Sequence, residues 1–160
     1  FIELENVNPF QNSVPLYNLT AAAGNFSENQ IVNVNEYDWV KIPSQIKPAE
    51  NLFACTIQGE SMNRVIPNGS ICLFRKYNGG SRNGKIVLVQ HTTIQDADYG
   101  SGYTVKEYQS TKTNSNNEQW RHNTITLKAL SNDDSFEDIN ITEDELEGFQ
   151  IIGIFECVIN

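Results

Sequence analysis

The chain has 160 residues, 39% hydrophobic and 10% aromatic, which suits one globular domain and is too apolar for a disordered acidic tail. Its 11 Lys and Arg face 20 Asp and Glu, and a net charge of -9 repels a phosphate backbone, which disfavours nucleic-acid binding by the chain alone. No apolar run approaches the roughly 18 residues of a bilayer-spanning helix and no basic, then apolar, leader opens the sequence; the chain is read as cytoplasmic, without a membrane partner.

Residues 1–13 carry Pro9 and several Asn without a period and read as an arm or linker end, followed by one domain over 14–160. Phe1 stands where an initiator Met would, and Met62 is the only methionine, so an excised or processed piece is expected. From Val14 onward short apolar runs recur: VPLYNL, QIVNVNEYDWVKIP, NLFACTIQG, SICLFRKY, GKIVLVQ, YTVKEYQS, TITLKAL and FQIIGIFECVI. They are rich in Val, Ile, Thr, Tyr and Phe, which favour a pleated, half-buried surface. Turn residues separate them, among them Pro67-Asn68-Gly69, Asn78-Gly79-Gly80 and Asn83-Gly84. Thr111–Asn123 reads as a long polar hairpin loop. Helical periodicity is confined to one turn after Ser61 and another in Thr142–Glu147, where Thr142 and Glu145 have capping-box spacing. The expected fold is mostly β: about eight antiparallel strands in strongly bent sheets or a small barrel, with at most one or two short helical turns.

Few residues offer chemistry. Cys55, Cys72 and Cys157 form no CxxC pair and read as buried small residues, so neither a metal nor a redox site is expected. His91, at a strand end, and His122, in the Asn-rich loop, lack suitably spaced partners and read as exposed loop histidines. Trp39 reads as core, and Trp120 as an exposed loop residue. The acidic tract from Asp133 to Asp138, continued by Glu143 to Glu147, lacks the order of a calcium loop and reads as a solvated face. No cofactor fingerprint is present.

Gly59-Glu60-Ser61-Met62 follows directly on the strand NLFACTIQ. A serine where a strand yields to a turn is well placed as a nucleophile, because nearby backbone N–H groups are free to steady an oxyanion; an ordinary capping serine fits the same four residues. With histidine lacking partners, the base that remains is a lysine kept neutral by burial. Lys106 lies inside the strand YTVKEY, where Thr104, Lys106 and Tyr108 share a face. An exposed strand lysine is the bland alternative, and Lys85 and Lys128 are not separated from Lys106 by pattern.

These residues resemble a known family: the self-cleaving C-terminal domain of LexA and the lambda-type phage repressors, shared by UmuD. VPLYNLTAAAG resembles the cleavage-site region, NLFACTIQGESMNRVIPNGSICLF the nucleophile strand and turn, YTVKEY the strand of the base lysine, and GFQIIGIFECVI the closing strand. The resemblance implies Ser61 as nucleophile, Lys106 as general base, the backbone N–H groups of Ser61 or Met62 as oxyanion donors, and Ala23-Gly24, within a cleavage region spanning 14–30, as the bond cut. It further implies a homodimer through the C-terminal strands, stimulation by a RecA filament, and DNA contact only through a separate N-terminal domain. The attached module would be a transcriptional repressor of the DNA-damage response or of a prophage. The same fold used as a non-catalytic dimerisation module is the alternative. The stretch Thr92–Tyr103 reads as an insertion in the hairpin ahead of Lys106.

Overall fold

Runs of β-branched and aromatic residues form strands where their side chains alternate between two packed faces. The computed structural model describes residues 1–19, 34–80, 82–91, 102–114, 121–142 and 148–159. Its strands are β1 (Ser13–Tyr17), β2 (Asp38–Lys41), β3 (Leu52–Ile57), β4 (Ser70–Lys76), β5 (Ile86–Gln90), β6 (Tyr103–Asn114), β7 (Arg121–Lys128), β8 (Ile139–Ile141) and β9 (Gln150–Val158). Two 3-10 turns, Leu4–Asn6 and Val34–Glu36, are the helical elements among the described residues. The mostly-β expectation holds.

All nine strands belong to one sheet, in the order β2-β1-β3-β4-β9-β5-β6-β7-β8. Three details differ from the sequence expectation. The sheet is mixed, because β1 and β3 pair in parallel, Leu16 opposite Ala54 and Tyr17 opposite Cys55. The chain reverses into β2 on one edge of β1 and reverses again into β3 on the other edge, so β3 runs as β1 does. The sheet does not close into a barrel. The expected loop at 111–123 is also shorter, since β6 and β7 remain laddered from Thr111 opposite Thr124 to Asn114 opposite Arg121, with His122 inside β7. Residues 115–120, with Trp120, lie outside the described residues, as do 143–147 of the second expected helical turn.

β3 is buried on both faces over Leu52–Cys55, which explains why these four residues are all apolar. Phe53, Cys55 and Ile57 enter one core cluster with Met62, Ile66, Cys72, Phe74 and Val105, whereas Leu52 and Ala54 enter another with Val14, Val40 and Leu73. Trp39 is buried as expected, its indole N–H donating to the Val34 carbonyl at 2.9 Å. The Ile2 N–H donates to the Trp39 carbonyl at 3.0 Å, which lays the first residues beside β2. The three cysteines are free thiols, with Cys55 and Cys72 buried and Cys157 half-buried.

Gly153 in β9 packs closely against the core. A Cβ there would lie 2.9 Å from Phe53 Cζ and 3.2 Å from the Arg75 carbonyl oxygen. Gly153→Ala is therefore expected to destabilise the fold by about 1–3 kcal/mol through overpacking. Urea unfolding checks this, by a lower midpoint at unchanged slope.

Candidate active site

The connection between β3 and β4 carries the serine. Gly59 and Gly69 adopt φ of 94° and 82°, a left-handed backbone that glycine accommodates without strain. The Gly59 N–H donates to Asn68 Oδ1 at 2.8 Å and the Gly69 N–H to the Ile57 carbonyl at 2.8 Å, so the predicted Pro67-Asn68-Gly69 turn closes the base of the connection. Inside it, the Val65 and Ile66 N–H groups both donate to the Met62 carbonyl, at 3.0 and 2.8 Å. The expected helical turn after Ser61 is this tight turn, too short to be a helix. Met62 and Ile66 are buried and pin it to the core; Ser61 is buried with 8% exposure.

Lys106 sits near the start of β6 opposite Val87, and only 4% of it is exposed. Its Nζ lies 3.0 Å from Ser61 Oγ, 2.8 Å from Thr104 Oγ1 and 3.1 Å from the Val105 carbonyl oxygen. The two residues singled out in the sequence thus meet in one buried contact, although β4, β9 and β5 lie between β3 and β6 in the sheet. Lys85 is exposed and Lys128 half-buried, so burial separates the three candidates that pattern left equal.

The three partners suit an amine in either protonation state. An ammonium donates to all three oxygens. A neutral amine has two N–H donors and one lone pair: the Val105 carbonyl can only accept, the Thr104 hydroxyl can accept, and the lone pair then faces the Ser61 hydroxyl. Thr104 had a place on the lysine's face in the sequence but no role; here its hydroxyl is a direct partner of the amine. The core beneath the nucleophile turn disfavours charge. Burial, reinforced by Cys72, pushes the Cys55 thiol well above its ordinary value, and burial with the nearby Cys157 takes Cys72 up to about 12. Both belong to the cluster that holds Met62.

Other expected sites fare differently. Ala23 and Gly24 lie outside the described residues, which reach Leu19, a buried member of the Met62 cluster. His91 is corrected: it is 2% exposed rather than a surface loop residue. The hairpin ladder runs one step past Gln90, with the His91 N–H donating to the Gly102 carbonyl at 2.9 Å, and the ring packs on Phe149 at 6.3 Å. Residues 133 to 138 of the acidic tract are exposed, and no metal-holding cluster occurs among the described residues.

Comparison with known families gives the class: the chain is a serine peptidase domain. It belongs to the Peptidase S24-like family, whose model matches residues 15–155, from within β1 to Phe155 in β9. That family agrees with the resemblance to LexA-like self-cleaving domains. Among curated proteins, none matches the chain.

Proposed function

We propose that this domain is a serine–lysine autoprotease that cuts its own Ala23-Gly24 bond and thereby releases or inactivates an attached regulatory module. The buried 3.0 Å contact between Ser61 Oγ and Lys106 Nζ carries the proposal. Burial favours the neutral amine, which accepts the Ser61 proton as Oγ attacks the Ala23 carbonyl carbon. The backbone N–H groups of Ser61 or Met62 steady the oxyanion. The Ala23–Gly24 C–N bond then breaks, Lys106 returns the proton to the Gly24 amine, and water hydrolyses the acyl-enzyme.

The parallel pair supports cleavage in cis, because β1, which leads into the cleavage segment, lies beside β3, which leads into the nucleophile turn, and both run in the same direction. Ala21, Ala22, Ala23 and Gly24 are small enough for a narrow cleft. Substrate and catalyst on one chain raise the effective concentration, so docking of the segment controls the rate. By the resemblance to LexA-like domains, the attached module is read as a transcriptional repressor, the domain as pairing through the C-terminal strands, and a RecA filament as the stimulus that favours docking.

Incubating the pure chain at about pH 10, where a lysine amine is largely neutral, is expected to yield a product beginning GNFSENQ, identified by mass spectrometry. A cut at another bond would refute the Ala23-Gly24 assignment, and none over days in a folded chain would refute the proposal and favour a non-catalytic dimerisation module.

A further inference from the structure

Ser61 lies in a connection and Lys106 in a strand, and no strand ladder joins their elements directly. Core packing of Met62 and Ile66 with Val105 brings them together, and hydrogen bonds add to it. β7 is laddered to β6, with Lys128 opposite Glu107, the neighbour of Lys106. Two residues beyond Lys128 the chain meets the nucleophile turn. The Leu130 N–H donates to Met62 Sδ at 3.4 Å, the Arg64 N–H donates to the Leu130 carbonyl at 3.0 Å, and the Asn132 N–H donates to Asn63 Oδ1 at 2.8 Å. Asn63 Nδ2 in turn donates to Glu60 Oε2 at 3.1 Å.

We propose that Leu130–Asn132 is a brace that sets the Ser61–Lys106 distance, with Asn63 as its positioning residue; this rests on the serine–lysine reading above. The brace is anchored on the same β6–β7 ribbon that carries Lys106, so lysine and turn share one frame. Asn63 uses both halves of its amide, accepting from the brace and donating to Glu60, the residue directly before Ser61. Its orientation follows from its partners, because a backbone N–H needs the carbonyl oxygen and a carboxylate needs the NH₂. Met62 completes the grip on the other side of Ser61: its thioether fills the core and also accepts a backbone N–H, which a leucine could not do. A displacement of about 1 Å at a reacting group can cost on the order of a hundredfold in rate, so a few bonds of ordinary strength suffice to matter.

The test uses the whole chain and two readouts. One is self-cleavage; the other is labelling by a small fluorophosphonate, in which Ser61 Oγ forms a bond to phosphorus, fluoride leaves and Lys106 takes the proton, without need of the cleavage segment. Asn63→Ala is expected to slow both by about tenfold, with cooperative unfolding retained and the pH midpoint of labelling unmoved. Asn63→Asp alone is expected to be as slow, since its carboxylate faces Glu60. Adding Glu60→Gln reverses donor and acceptor and is expected to restore labelling to within about twofold of the parent. Labelling of Asn63→Ala at the parent rate, or a loss that the double variant does not restore, overturns the brace. A parent chain that is neither labelled at Ser61 nor cut overturns instead the serine–lysine reading beneath it.

Discussion

Ser61→Ala is expected to abolish self-cleavage outright, and Lys106→Met to slow it by at least about a hundredfold, with both variants folded. The serine variant removes the proposed nucleophile, the hydroxyl that meets Lys106 from the turn. The lysine variant removes the proton acceptor and leaves the hydroxyl at its ordinary, feeble nucleophilicity. Methionine has nearly the volume of the lysine stem, so the core around β6 stays filled. Burying an amine is costly, and stability is therefore expected to be unchanged or raised in Lys106→Met, whereas Lys106→Ala would open a cavity and confuse the two effects. Lys85→Ala and Lys128→Ala are controls, exposed and half-buried, and are expected to cut at the parent rate. Cleavage of Lys106→Met at the parent rate, read by gel densitometry, would remove Lys106 from the mechanism.

Legibility in the sequence followed the range of the interaction. Strands such as β3 and β5 are written locally, in β-branched runs bounded by Gly and Asn, and the turn at Pro67-Asn68-Gly69 carries its own chemistry. β8 was not foreseen, because Ile139–Ile141 is three residues inside an Asp- and Asn-rich stretch and is a strand only by virtue of pairing with β7. The parallel pairing of β1 and β3 depends on which edge β3 chooses, which no local pattern encodes. Period-two alternation assigned Lys106 a face but not its burial; Lys85 and Lys128 looked alike, and the family resemblance alone favoured Lys106 before geometry did. His91 was misread because a histidine ahead of a polar stretch looks exposed until Phe149, far along the chain, is known to cover it. Asn63 and Leu130 gave no signal at all, since their bonds join segments distant in sequence.

Self-cleavage is expected to rise with pH from about 7 and then to fail at the alkaline end, for two separate reasons. The rising limb is the conversion of Lys106 to the neutral amine: a lysine in water titrates near about 10.4, and burial moves the midpoint down. A substitution that favours docking of the cleavage segment excludes more water and is expected to move the midpoint further down. The falling limb is loss of the fold. Burial, with help from Tyr37 and Cys55, pushes the Tyr17 hydroxyl up to about 12, as burial does for the Cys72 thiol, and Cys55 lies well above its ordinary value. These folded-state values exceed the unfolded ones, so the neutral forms stabilise the native state fully below the unfolded values of 9.0 for cysteine and 10.0 for tyrosine. That contribution drains away as pH climbs from there toward about 12, because the unfolded chain ionises first. Urea unfolding across the same pH series is expected to show stability falling from about pH 9 while the rate per folded molecule still rises or levels off. Replacing Cys72 by Ala is expected to shift the alkaline loss of stability to higher pH and to leave the rising limb in place. His91→Ala and His122→Ala are expected to leave that limb unmoved as well. A midpoint near about 6.5 that vanishes in either histidine variant would give the base role to that histidine, and a rate flat from about pH 7 to 10 would break the link between cleavage and a titrating amine.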